Sequence, residues 1–166
     1  MHTTISEVDA GMEHEQELVR ILYSCTVKQD SFDDFLEVLC ERLNLRCASL
    51  AVRDTENNNL TAGWSYGLTD EMIIEYVTKW ADHDYLVNNV LPSKPFGYFY
   101  TSNLDVDQIE SIMQMPFFTQ FAKKHDIVHG GGAVIDSDNG YMTSLRVQRS
   151  SEQGGFSHEE AEFIIG

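Results

Sequence analysis

The sequence predicts an α+β domain in which helices pack on a central antiparallel sheet of about five strands. Two hairpins predict the sheet: the runs 47–53 and 60–66 flank a turn rich in Asp and Asn, and a second pair of runs flanks Asn139-Gly140. Hairpins join antiparallel neighbours, whereas parallel strands need a long crossover connection. Amphipathic helical patterns lie before, between and after these hairpins, so we expect helices to cover the sheet.

Two helices are predicted ahead of the first strand. Residues 1–11 read as a disordered tail, and residues 12–26 then repeat apolar side chains at helical spacing. A second helix begins at Ser31, a favourable N-cap residue, and ends at Asn44. Both helices have one apolar face, which must cover something apolar.

The middle of the chain continues from the first hairpin, which Gly67 closes. A third helix is predicted over 69–80, whereas 81–95 has no clear period and is expected to be irregular. A short aromatic strand over 97–101 follows. The remaining predicted elements are a short helix within 104–115 and a helix that begins at Pro116 and ends near His125.

The second hairpin, residues 129–149, has the strongest pattern in the chain. Asn139-Gly140 tolerates the positive φ angles of a tight turn. The alternation of side chains after this turn predicts a half-buried strand. Its two faces carry, respectively, Tyr141, Thr143, Leu145 and Val147, and Met142, Ser144, Arg146 and Gln148. Ser157 and Glu160 then fit the capping box of a last helix. That helix has only begun at Gly166, so residues 12–166 are interpreted as one domain that is truncated in this helix.

Composition excludes several classes of function. The formal net charge is −16, from 27 acidic and 11 basic residues, which repels a phosphate backbone and argues against direct nucleic-acid contact. No run of about twenty apolar residues is present, so a soluble cytoplasmic protein without membrane contact is expected. Cys25, Cys40 and Cys47 form no CxxC pair and are predicted to be buried, reduced thiols.

No motif of catalysis, metal binding or cofactor binding is recognisable. Gly130-Gly131-Gly132 precedes a strand rather than a helix and lacks the Lys-Ser or Lys-Thr of a phosphate loop, so it predicts a bulge or a close approach of another backbone or a ligand. His125 and His129 have no third ligand at metal spacing. We therefore expect no enzyme, no metal and no cofactor.

Aromatic residues interleaved with polar groups predict either a dry core or an internal ligand pocket. Pockets are mainly apolar and aromatic with a few orienting polar groups, and buried Tyr and Trp need a hydrogen-bond partner. The candidate ligand-binding residues are Trp64, Tyr66, Tyr76, Trp80, Asp84, Phe99, Phe117, Phe118, Phe121, Thr143 and Leu145.

Three segments resemble the N-terminal sensory domains of LuxR-type helix-turn-helix transcriptional regulators. They are Phe117-Phe118-Thr119-Gln120-Phe121-Ala122-Lys123-Lys124-His125-Asp126-Ile127, Ser144-Leu145-Arg146-Val147-Gln148-Arg149 and Gly155-Phe156-Ser157-His158-Glu159-Glu160. The resemblance implies a PAS-like or GAF-like α/β/α fold. It also implies a domain that senses a small molecule or a partner and passes its state to a C-terminal DNA-binding domain, which is absent here because the domain is truncated in its last helix.

A further pattern is similar to the acyl-homoserine-lactone receptors of that superfamily. It is Tyr76-x-x-x-Trp80-x-x-x-Asp84, with Tyr85 where those receptors have proline. The similarity implies that Asp84 accepts a hydrogen bond from a ligand N–H while Tyr76 and Trp80 wall the pocket. A carboxylate at a turn also commonly accepts hydrogen bonds from neighbouring groups of the chain. A ligand-binding role and a purely local structural role therefore both stay open for Asp84.

The resemblance also implies a homodimer, since two-fold DNA half-sites need a two-fold protein. Residues 12–26 and the C-terminal helix are the predicted dimer surfaces. Two alternatives to a ligand sensor stay open: a structural dimerisation module with a filled core, and a small enzyme on a GAF-like fold.

Overall fold

The structure is a computed structural model that describes residues 31–165. The predicted tail, residues 1–11, and the predicted helix over 12–26 lie outside the described residues. So do Cys25 and one of the two predicted dimer surfaces.

The predicted α+β fold with a five-stranded antiparallel sheet is confirmed. The strands are β1 (Cys47–Asp54), β2 (Leu60–Tyr66), β3 (Tyr100–Thr101), β4 (His129–Asp138) and β5 (Tyr141–Arg149). Their order across the sheet is β2-β1-β5-β4-β3, and every neighbouring pair is antiparallel. The two predicted hairpins are the pairs β1–β2 and β4–β5, so the long central strands come from the two strongest hairpin patterns in the sequence.

One face of the sheet is covered by helix α1 (Ser31–Leu43). Asn44 ends this helix as predicted, with a left-handed φ of 51°. The apolar stripe of α1 packs on alternate residues of the central strands. This cluster includes Phe35, Leu36, Leu39, Cys40, Leu43, Ala48, Leu50, Ala133, Val147 and Phe156.

The opposite face is covered by short helical segments. They include helix α2 (Asp70–Glu75), helix α3 (Ile109–Ile112) and three π-helical turns, Tyr76–Trp80, Leu86–Val90 and Phe118–Ala122. Two 3₁₀ turns, Ala81–His83 and Leu91–Ser93, join the second of these π turns to its neighbours. A final helix, α4 (His158–Ile165), follows β5.

Residues 81–95 differ from the irregular segment that the sequence predicts. They form successive 3₁₀ and π turns, whose spacings of three and five residues leave no 3.6-residue period in the sequence. The predicted strand over 97–101 is shorter, because Tyr98 N–H donates to the Pro95 carbonyl (3.0 Å) and closes a turn there. Only Tyr100 and Thr101 of that stretch pair with β4.

The turn between β4 and β5 explains the tight pairing of the second hairpin. Asn139 and Gly140 have φ angles of 52° and 82°, the two positive values that a type I′ turn requires.

The three consecutive glycines lie in β4, where the predicted close approach is confirmed. A Cβ atom on Gly131 would lie 2.8 Å from the Tyr100 carbonyl oxygen and 2.9 Å from the Phe99 ring.

Cys40 and Cys47 are buried, free thiols, one on each side of the sheet. Burial raises the pKa of both to about 12. The Cys47 Sγ atom lies 3.0 Å from the Gln148 Oε1 atom, to which it donates a hydrogen bond.

Candidate ligand-binding site

A cavity of about 250 Å³ lies between the sheet and the short helical segments. Alternate residues of the strands form its floor, including Ser49, Ala51, Gly63, Ser65, Ser144, Arg146 and Gln148. Helix α2 and the π turns form its roof, with Met72, Ile73, Tyr76, Val77, Val87, Phe117 and Phe121. The cavity therefore occupies the sheet face opposite to α1.

One end of this cavity is apolar and deeply buried. Met72, Phe121 and Ile127 lie there with exposed fractions of 4%, 3% and 7%. Phe117 stacks on Phe121 with ring centroids 5.4 Å apart. The apolar end thus offers a surface that fits the hydrocarbon part of a ligand.

The other end is a mouth between β2 and the roof. Leu60 and Val77 line the cavity and are still 42% and 49% exposed. A β-bulge makes this possible: Val52 pairs with Ala62 but Arg53 pairs with Leu60, which leaves Thr61 as the extra residue. An extra residue reverses the alternation, so Leu60 lies on the cavity face beside Arg53.

A polar network centred on Asp84 holds the roof to the floor. The Asp84 side chain is fully buried, and its Oδ2 atom accepts hydrogen bonds from the Tyr76 hydroxyl (2.9 Å) and from Arg146 Nη1 (3.0 Å). Its Oδ1 atom accepts from the Val87 N–H (3.4 Å). Asp84 therefore connects two segments of the roof to strand β5, and both oxygens of the carboxylate accept hydrogen bonds inside the protein.

The network fixes the protonation of the groups around it. Burial and then the Asp84 carboxylate raise the pKa of Tyr76 above its usual range, so its hydroxyl keeps its proton. Burial is the largest influence on Arg146 and disfavours its charge, but the Asp84 carboxylate, Tyr100 and Tyr76 together outweigh burial and raise the pKa of the guanidinium. The cavity is therefore bordered by an ionised arginine and a neutral tyrosine.

Strand β4 leaves room for the Arg146 side chain. Gly132 pairs with Arg146, and a Cβ atom on it would lie 3.5 Å from Arg146 Cγ, 3.5 Å from Tyr100 Cε1 and 2.8 Å from the Leu145 carbonyl oxygen. The Tyr100 hydroxyl lies beside this guanidinium without hydrogen-bonding geometry. Gly132 is thus required by the close approach of the Leu145 carbonyl, while its two contacts at 3.5 Å are ordinary packing distances.

Arg53 is the second charged residue of the cavity lining. Its exposed fraction is 7%, and its side chain forms no hydrogen bond or ion pair with the described residues. Its charge acts on the same network, because it contributes to lowering the pKa of Tyr76 against the larger effects of burial and Asp84. The guanidinium nitrogens are not fully enclosed, so their unused donors open to the cavity.

The structure brings four of the predicted site residues to the cavity: Trp64, Tyr76, Phe117 and Phe121. Trp64 borders it from β2, although its ring packs on Phe32 of α1 with centroids 4.8 Å apart. Trp80 and Phe118 lie behind the lining, against Phe117, at centroid distances of 6.2 Å and 4.8 Å.

The other predicted site residues lie elsewhere. Phe99 and Leu145 belong to the cluster beneath α1, and Thr143 shares their face of the sheet. Tyr66 is exposed at the end of β2. Asp84 is not part of the lining. Its carboxylate is satisfied locally by Tyr76, Arg146 and the Val87 N–H, and its hydrogen bond to a ligand N–H stays a prediction.

Several lining residues were not among the predicted candidates: Ser49, Arg53, Met72, Ser144 and Arg146. Arg146 and Ser144 share the polar side of the strand alternation, which is typical of a solvated face. Here that side faces the cavity. Ser144 is 2% exposed. An arginine within a strand that is covered on both sides is the signal that could have identified this face.

Residues 31–165 contain neither a candidate metal site nor a membrane-spanning helix. No group of three or more His, Cys, Asp or Glu side chains there could hold a metal ion. Within the same range, no helix is long and apolar enough to cross a membrane.

Comparison with known proteins identifies the fold through structures rather than sequences. No protein-family model matches the chain, and no curated protein matches it by sequence. The structure of SdiA in complex with octanoyl-rac-glycerol matches 99% of this chain, with a TM-score of 0.64 and 15% identity. This chain spans 65% of that SdiA chain.

Two further structures match with comparable scores. One is CepR2 from Burkholderia cenocepacia, an N-acylhomoserine-lactone-dependent LuxR family transcription factor, with a TM-score of 0.59, 12% identity and coverage of 89% of this chain and 85% of CepR2. The other is the LBD domain of VqsR from Pseudomonas aeruginosa, with the same TM-score, 12% identity and coverage of 93% and 87%. The resemblance inferred from the sequence motifs is thus confirmed, and this chain has the fold of the sensory domains of LuxR-type transcriptional regulators.

Proposed function

We propose that this chain is the small-molecule-sensing domain of a transcriptional regulator, whose ligand state is passed to an attached helix-turn-helix domain. The observation that carries the proposal is the cavity of about 250 Å³ on one face of the sheet, with an apolar end, a mouth and a few polar groups. Ligand sites in proteins have this combination of features. A protein of the same fold, SdiA, has been solved with octanoyl-rac-glycerol.

Strand β5 provides a physical route from the cavity to the C-terminal helix. Arg146 lies at the cavity, and three residues later Arg149 donates from Nη2 to the Leu43 carbonyl (2.6 Å) and to the Glu160 carboxylate of α4. Arg149 Nη1 also donates to the Gly155 carbonyl (3.1 Å). A ligand that prefers one position of β5 would therefore favour one position of α4.

The proposed mechanism is a population shift. A ligand moves an equilibrium between two arrangements only by its difference in affinity for them. Contacts with the floor and roof of the cavity would supply that difference, and α4 would transmit it. On this proposal the protein is a cytoplasmic homodimer that binds its ligand without catalysing a reaction and contacts DNA through the attached domain.

The rival proposal is a structural dimerisation module. It expects the aromatic residues to fill the core, whereas four of them border an open cavity. The cavity therefore favours the sensor.

Native mass spectrometry and thermal melting of the purified chain test this proposal. With a lipophilic cell extract, we expect a retained small-molecule mass and a melting temperature that rises and saturates, by about 5 to 10 °C at ligand concentrations near a hundred times Kd. The same spectra report whether the chain is a dimer. No bound mass and an unmoved melting temperature would contradict the sensor, and a monomer would contradict the dimer.

A further inference from the structure

We propose that the ligand is a small amphipathic acid, whose anionic head group binds Arg53 and Arg146 and whose apolar part occupies the deep end of the cavity. The inference rests on the proposed sensing function and adds the chemical class of the ligand. It is carried by the charges of the lining, which contains two arginines and, among the described residues, no Asp or Glu.

Arg146 has part of its charge neutralised inside the protein. Its partner Asp84 is fully buried behind the lining and also accepts a hydrogen bond from the Tyr76 hydroxyl. Asp84 thus balances the charge of Arg146, and the site keeps about one positive charge. This local charge contrasts with the net charge of −16 of the whole chain.

Arg53 supplies that unpaired charge. The residue is nine-tenths buried, and its side chain forms no hydrogen bond or ion pair with residues 31–165. Burying an ionised group without a partner is costly, and the guanidinium stays ionised in proteins. A bound carboxylate would satisfy its donors with charge-assisted, bidentate hydrogen bonds.

The position of the two arginines sets the direction of the ligand. Arg53 pairs with Leu60 at the mouth, whereas Arg146 pairs with Ser49, four residues further along β1 toward the deep end. Beyond Arg146 the lining contains Phe121, Ile127 and one neutral polar residue, Gln148, whose Oε1 atom already accepts a hydrogen bond from the Cys47 thiol. The head group therefore lies between the two arginines, and the apolar part points toward the deep end.

A matched pair of probes tests the charge of the head group. Octanoic acid and methyl octanoate share an apolar chain and differ in the carboxylate. We expect octanoate to raise the melting temperature of the 166-residue chain and to bind about tenfold to a hundredfold more tightly than the ester. Octanoyl-rac-glycerol serves as a second neutral probe.

Variants of Arg53 test the residue itself. Arg53→Met removes the buried charge and keeps an apolar side chain, so it should raise the melting temperature of the empty protein and abolish the preference for the acid. Arg53→Lys keeps the charge and should retain part of that preference. Arg46→Gln, an equal charge change at an exposed arginine outside the cavity, should leave it intact.

The outcomes separate this inference from the proposed function. Equal stabilisation by the acid and by the neutral probes would leave a ligand-binding domain and overturn the acidic ligand. An empty Arg53→Met protein that melts below the unchanged protein would also overturn it, since the guanidinium would then be stabilising without a ligand. Failure of the sensing function would appear separately, as no retained mass and no melting shift with any probe or with the extract.

Discussion

The two faces of the sheet are built from alternate residues of the same strands, yet they bury their side chains in different ways. On the α1 face, Leu36, Ala48 and Val147 are 0% exposed and the layer is filled. On the cavity face, Ser49, Arg53, Ser144 and Arg146 replace aliphatic residues, and space is left above them. One face thus stabilises the domain by packing, whereas the other uses a polar network and keeps room for a ligand.

The helical layers differ in the same way. Helix α1 presents a regular apolar stripe to the sheet. The cavity roof instead contains three π turns, in which backbone hydrogen bonds span five residues, as between Ala81 N–H and the Tyr76 carbonyl. Such turns are rare and occur frequently at functional sites. Their five-residue spacing departs from the regular 3.6-residue stripe that α1 presents to the sheet.

The largest expected effect comes from breaking the polar network of the cavity face. Asp84→Ala should lower the free energy of unfolding by about 3–5 kcal/mol, because it leaves the buried Arg146 guanidinium without its anion. Urea denaturation measures the change.

The double variant Asp84→Ala/Arg146→Met is the matched control. It removes both charges together, so it should be more stable than Asp84→Ala alone. If the single and double variants unfolded at the same urea concentration, the ion pair would not be what holds the roof to the floor.

The second prediction compares the faces through one substitution on one strand. Ala48 is 0% exposed beneath α1, whereas Ala51 lines the cavity. Ala48→Leu should cost about 1–3 kcal/mol by overpacking, and Ala51→Leu should cost less than about 1 kcal/mol because it grows into open space. Urea denaturation of the two variants measures the difference.

The same pair of variants bears on ligand binding. A leucine at position 51 occupies part of the cavity, so the melting shift produced by a lipophilic extract should disappear in Ala51→Leu. Equal destabilisation by the two leucines would mean that the cavity is closed in solution.

The packed face could be predicted from the sequence because local rules determine it. The stripe of α1, the alternation in β5 and the Asn139-Gly140 turn each follow from short-range patterns. Even the strand β2 was predicted with the bounds observed, Leu60–Tyr66.

The cavity face could not be predicted to the same degree. Its central contact joins Asp84 to Arg146, which are 62 residues apart in the chain, and no local pattern reports such a contact. The bulge at Arg53–Leu60 reverses one alternation, and the π turns leave no period that a helical pattern would detect. The aromatic composition indicated a pocket, but the polar residues that complete its lining could be identified only from the fold.

The smallest expected effect concerns a surface network on the cavity face, centred on Glu75. Glu75 at the end of α2 lies 2.9 Å from His125 Nε2 and 3.3 Å from Lys124 Nζ, and it accepts a hydrogen bond from the Trp80 indole (3.4 Å). These contacts join α2 to the segment after the last π turn, so they hold two parts of the roof together.

The hydrogen bond with His125 lowers the pKa of Glu75 from 4.5 to about 2, with burial opposing this shift and Lys124 and Trp80 adding to it. Because the folded pKa lies below the unfolded one, the contribution is fully present above pH 4.5 and is lost as the pH falls toward 2. The unfolding free energies of the unchanged protein and of Glu75→Gln should therefore differ at pH 6 and converge near pH 2. Glu71→Gln removes an exposed carboxylate on the same helix and should show no such convergence. If the unfolding free energies of the unchanged protein and of Glu75→Gln differed by a constant amount across this range, the charge of Glu75 would not hold the two parts of the roof together.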